Sequence, residues 1–68
     1  MATVDGQQVK VGDTVCFKAD VEQCGTIMSF KSDGRHTILV LGSKYGFRGE
    51  YIGGQTTTQQ RADDCWIE

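Results

Sequence analysis

Three cysteines (Cys16, Cys24 and Cys65) and one histidine (His36) are the side chains of this 68-residue chain best suited to metal or nucleophile chemistry. Thiolate sulfur and imidazole nitrogen are the usual zinc ligands, so the four could in principle fill a tetrahedral site. Their spacing argues against it: no pair stands at the short separation of a zinc knuckle, and there is no Cys-x-x-Cys. An odd cysteine count without paired spacing is also not a disulfide framework. Cys16 and Cys24 flank a loop, where antiparallel strands would bring them face to face, yet they are expected as ordinary reduced residues. Cys65, beside Trp66, is expected in the core, where unpaired cysteine usually resides. His36 has no nucleophile or orienting acid in any recognisable spacing, and it reads as an exposed turn residue. Asp63 and Asp64 are adjacent and point apart in an extended chain; in a helical turn one of them would cap it. The glycines at 42, 46, 49, 53 and 54 lack the strand–loop–helix setting of a phosphate loop and read as corners. No catalytic residue, metal or cofactor is expected, and the chain does not read as an enzyme.

The remaining chemistry lies in a group of basic and aromatic side chains. Lys44, Tyr45, Phe47 and Arg48 follow one another closely, with Tyr51 beyond them and Lys31 and Arg35 just upstream. Such a mixture suits a face that binds an acidic peptide or a single nucleic-acid strand through stacking and ionic contacts. Lys31, Arg35, Lys44, Tyr45, Phe47 and Arg48 are therefore the candidate binding residues. The competing structural reading places Phe47 and Tyr51 in the core, because a chain this small needs most of its aromatics inside.

Charge narrows the choice of partner. The formal net charge is −2, which disfavours a general polyanion binder, since non-specific nucleic-acid affinity comes mainly from neutralising phosphates. The charge is unevenly spread. Lys31, Arg35, Lys44 and Arg48 face only Asp33 within residues 31–48, while acidic residues predominate on either side. The amino terminus shows no basic-then-apolar signal pattern, and the longest aliphatic run, residues 38–41, is too short to cross a bilayer. The expected setting is the cytoplasm, with no membrane partner.

The elements that must position these residues are short strands. Residues 1–8 read as a polar lead-in, with Asp5-Gly6 able to turn a minor edge hairpin, and residues 9–68 as one domain. Val9 and Val11 lead into a Gly12-Asp13 turn. Residues 14–18 then alternate, with Val15 and Phe17 on one face. A polar loop at 19–23 precedes a strand at 26–30, where Ile27 and Phe30 fall on opposite faces under strict alternation. A bulge near Met28–Ser29 would bring both to the core. Asp33-Gly34 marks a hairpin turn. The aliphatic run at 35–41 reads as the central strand, residues 50–52 as a fourth strand, 53–60 as an exposed loop, 61–64 as one helical turn and 65–67 as a last strand. No segment sustains a helical period. The expected fold is all-β, a small five-stranded SH3-like barrel without substantial helix, since closure removes exposed strand edges.

Val9, Gly12 and Asp13, followed by Gly25 and Ile27, resemble the turn-and-strand opening of KOW-type and other SH3-like barrels. The sequence GFRGEYIGG at 46–54, with a threonine-rich loop and ADDCW at 62–66, is similar to small uncharacterised SH3-like proteins of bacteriophages. That resemblance implies a fold and a phage source, and no activity. The chain departs from nucleic-acid-binding KOW domains at residues 19–23, where an acidic loop stands in place of a basic one. The expectation is therefore a non-enzymatic module that binds a host or phage protein. The alternatives are a nucleic-acid-binding KOW-like domain and a self-assembling structural component.

Overall fold

The computed structural model describes residues 2–68, which form six strands and two 3-10 turns in the order β1 (Ala2–Val4), β2 (Gln7–Val9), β3 (Thr14–Ala19), β4 (Val21–Asp33), β5 (His36–Gly42), turn Gly49–Tyr51, β6 (Thr57–Arg61), turn Ala62–Asp64. The fold is all-β, with no α-helix among the described residues. Strands β1 and β2 make a two-stranded antiparallel sheet, and β3-β4-β5-β6 a four-stranded antiparallel meander. The expected five-stranded barrel is thus not a continuous closed ladder. After β6 the chain returns through the turn at Ala62–Asp64, and Trp66 makes a single antiparallel bridge to Cys16 on β3. No helix of the described residues is long and apolar enough to cross a membrane.

The stretch expected as a lead-in is structural. Asp5 and Gly6 both take positive φ, 53° and 78°, as a two-residue type I′ hairpin loop requires. The hairpin delivers Ala2, Val4 and Val9 to the core. The next turn shows why glycine and aspartate stand together. Gly12 has φ 98°, a left-handed conformation that side chains resist, and the Asp13 carboxylate accepts a hydrogen bond from the Lys10 N–H at 3.0 Å. The Gly12 N–H donates to the Ile27 carbonyl, and the Ile27 N–H to that of Asp13. The Gly-Asp turn is therefore fastened directly to β4, two residues beyond Gly25.

The core is filled by one face of the meander together with the hairpin. Val4, Val15, Phe17, Ile27, Leu39 and Leu41 are fully buried. Each such side chain contributes roughly 1.5–3 kcal/mol on burial. Strand β5 is central as expected, paired on both sides, with Leu39 and Leu41 inward and Ile38 and Val40 half-covered. The register between β4 and β5 shifts between Ile27 and Ser29, a bulge at the expected place. It puts Ile27 opposite Leu41 and Phe30 opposite Leu39, all on the core side.

Several local expectations are corrected. The loop at 19–23 is a tight reversal at Asp20, φ 66°, between β3 and a thirteen-residue β4. Residues 50–52 do not form a strand: Gly49–Tyr51 is a 3-10 turn, with the Tyr51 N–H donating to the Arg48 carbonyl. The fourth strand of the meander lies instead in the polar segment expected as a loop. Thr57–Arg61 pairs with β5 from Gly42↔Thr57 to Ile38↔Arg61. The helical turn at Ala62–Asp64 is present, but neither aspartate caps it; Arg61 occupies the cap position without a side-chain hydrogen bond.

Candidate functional site

The outward face of the meander carries the exposed chemistry, and its two ends differ. At one end the β4 bulge leaves Met28 without a partner on β5 and 56 % exposed. Met28 lies across Gly42, so close that a Cβ there would meet its Cγ at 2.9 Å. Thr26, Met28, Gly42, Ser43, Lys44, Thr56 and Thr57 line a shallow groove of about 460 Å³. Tyr45, next in sequence to Lys44, is 88 % exposed, and the Lys44 ammonium stands 5.4 Å from its ring centroid. That distance fits a cation–π contact. The loop that presents these side chains is tied down. The Ser43 hydroxyl donates to the Gly46 carbonyl at 2.7 Å, the Ser43 N–H to Thr56 and the Phe47 N–H to Gln55.

The other end holds the β4–β5 hairpin. Cross-strand register aligns Lys31, Ile38 and Arg61 in one row. They border a groove of about 470 Å³ shared with Asp33 and Asp64 among others, so its charge is mixed. His36 sits beside it, half-exposed, with Nδ1 3.6 Å from an Asp63 carboxylate oxygen.

The six candidate binding residues are therefore not one cluster. Lys31 and Arg35 lie at the hairpin end, and Lys44 and Tyr45 beyond the opposite end of β5, roughly 20 Å of strand away. Arg48 is exposed farther along the same loop. Phe47 is a core residue: it is 7 % exposed and packs edge-to-face on Phe17, centroids 5.5 Å apart. The four cations accordingly offer no single basic patch. Met28 belongs to the exposed group and escaped the reading of residue types, although the bulge that exposes it was legible.

The cysteines differ most from expectation. Cys16 and Cys24 are direct cross-strand partners, their Cα atoms 3.9 Å apart, and are joined as a disulfide. The reason lies in the ladder. The N–H and C=O of Cys16 both engage Trp66, leaving none for Cys24. Pairs not exchanging backbone hydrogen bonds are the closer kind in an antiparallel sheet. Cys16 is buried and Cys24 exposed, and the Glu68 carboxylate lies with both sulfurs inside a 4.8 Å cluster. Cys65 is a buried free thiol as expected, its pKa raised to about 11 by burial and then by the negative charge of Asp64.

No protein-family model matches the chain, and comparison with curated proteins and with solved structures finds no match to it.

Proposed function

We propose that the chain is a non-enzymatic interaction module, an SH3-like barrel that docks a partner protein on the bulge end of its meander. The barrel reading is supported by the antiparallel order β3-β4-β5-β6 and by the 3-10 turn that returns the chain to pair Trp66 with Cys16. The observation that carries the binding reading is the grouping of Met28, Lys44 and Tyr45. An adaptable thioether from β4 and a cation from the loop after β5 line one groove, the exposed aromatic stands beside that cation, and the loop is held by backbone hydrogen bonds. Methionine and tyrosine are common anchors of protein interfaces. A matching partner offers an apolar side chain flanked by a carboxylate. The likeness to small bacteriophage barrels makes a host or phage protein the natural partner class.

Site-specific photo-cross-linking tests this reading. A benzophenone amino acid at position 45 should give one saturable protein adduct, competed by unmodified protein and lost in Met28→Asp. The same probe at position 35 should give none. Equal adducts at the two positions, or an adduct at 45 indifferent to Met28→Asp, would overturn it. The nucleic-acid alternative has its own signature, a steep fall of affinity with salt.

A further inference from the structure

We propose that the dithiol form of this protein carries a metal site in which the Cys16 and Cys24 thiolates and the Glu68 carboxylate hold one zinc-type divalent cation. The disulfide and the metal are alternative occupants of the same two sulfurs.

Three independent parts of the chain converge here. Cys16 is in β3 and Cys24 in β4, fixed opposite each other by the ladder from Thr14↔Thr26 to Ala19↔Val21. Glu68 arrives from the carboxyl end because the Trp66 bridge anchors it beside β3. Two residues beyond Trp66, it falls on the same face by the two-residue period of extended chain. All three ligand atoms lie within 4.8 Å of one another. A Zn–S bond is about 2.3 Å and a Zn–carboxylate bond about 2.0–2.2 Å, so ligand atoms spaced this way can share one ion after side-chain rotation. Two soft thiolates select a zinc-type ion over calcium or magnesium, which prefer oxygen alone. Three protein ligands leave a fourth position for water, the arrangement of an open rather than a closed zinc site.

The chemistry balances in two steps. A phosphine reductant cleaves the S–S bond and becomes a phosphine oxide; water supplies that oxygen and the two protons of the thiols. The metal then displaces those two protons as it binds, so affinity rises with pH. Cys65 stands apart from this set: it is buried and its thiol resists ionisation.

Cobalt(II) titration of the phosphine-reduced protein provides the test, because thiolate-to-cobalt charge transfer reports sulfur ligation directly. The expected result is a charge-transfer band saturating at one equivalent, reversed by zinc, and absent from the disulfide form. Cys24→Ser should abolish the band. Glu68→Gln, at an exposed position, should weaken binding by about tenfold or more, as losing even an outer-shell partner of a metal does. Cys65→Ala should leave the band intact. No band in reduced protein whose fold is confirmed by circular dichroism overturns the proposal. So does a band that survives Cys24→Ser, or one whose affinity is unchanged by Glu68→Gln.

Discussion

The side chain of Gln23 holds the backbone of Arg48: its Oε1 accepts the Arg48 N–H at 3.0 Å across 25 residues of sequence. Gln23 is 7 % exposed, and its Nε2 donates to the Ala19 carbonyl at 3.4 Å. One buried amide thus ties the loop after β5 to the start of β4, next to the point where Phe47 enters the core. Gln23→Leu keeps the volume but leaves the Arg48 N–H unpaired. The expected loss is about 1–3 kcal/mol, the range for an orphaned buried donor, measured as a lower urea midpoint with the slope unchanged. A midpoint equal to that of the unsubstituted protein would show that water replaces the amide without penalty.

Two glycines of the meander should respond in opposite ways to the same added methyl. A Cβ at Gly25 would meet the Leu41 Cβ at 3.1 Å and the Phe47 ring at 3.1 Å, both inside the core. At Gly42 it would meet Met28, whose side chain is exposed and free to swing away. Gly25→Ala is expected to destabilise by about 1–3 kcal/mol, as overpacking does. Gly42→Ala should be close to neutral in stability while displacing Met28 from the groove. Thermal melts of the two variants, compared with the cross-linking yield at position 45, separate the effects; equal destabilisation would mean that Met28 is held as firmly as Phe47.

Where the sequence was readable, a local rule carried the information. The mismatch in parity between Ile27 and Phe30 called for a bulge, and the register shifts there. Asp5-Gly6 called for a turn, and its positive φ values are the reason. Strand β6 could not be read in the same way. In Thr57–Arg61 only Thr58 is buried, so this strand is recruited by backbone pairing to β5 and not by an apolar period. The reverse holds at Tyr51 and Ile52, whose apolar character suggests a strand where Gly49–Tyr51 makes a 3-10 turn. Spacing along the chain also cannot show that Cys16, Cys24 and Glu68 meet, because the convergence depends on the Trp66 bridge. The basic-aromatic group at 31–48 is the converse: its members are near in sequence, and β5 then carries them to opposite ends.

The Cys16–Cys24 link closes a short loop, with a sequence separation of 8. Chain-entropy reasoning assigns about 2.5 kcal/mol to cross-linking a loop of this length in the unfolded chain. Reduction by a phosphine, with a chelator present to keep metals away, should lower the urea midpoint accordingly. Trp66 gives an internal signal for the same event, since it is the only tryptophan and bridges Cys16. Disulfides quench neighbouring indoles, so its fluorescence should rise on reduction before any unfolding occurs. An unchanged midpoint would mean that the hairpin at Asp20 already restrains the unfolded chain as much as the disulfide does.

The thiol of Cys65 makes stability depend on alkaline pH. Its pKa is raised from 9.0 to about 11 in the folded protein, first by burial and then by Asp64, so the fold favours the neutral, protonated form. A group whose folded pKa lies above its unfolded value gives its full contribution below the unfolded pKa. That contribution disappears as pH rises through the folded one. The window is therefore pH 9.0 to about 11. Cys65→Ala isolates the thiol because it leaves every other side chain in place. The gap in urea midpoint between the unsubstituted protein and Cys65→Ala should be constant below pH 9.0 and should then shift progressively against the unsubstituted protein toward pH 11. Alkylation of Cys65 in the folded protein should be slow across that window and fast once urea exposes it. A midpoint gap that stays constant from neutral pH to 11 would show that the thiol ionises as readily in the core as in the unfolded chain.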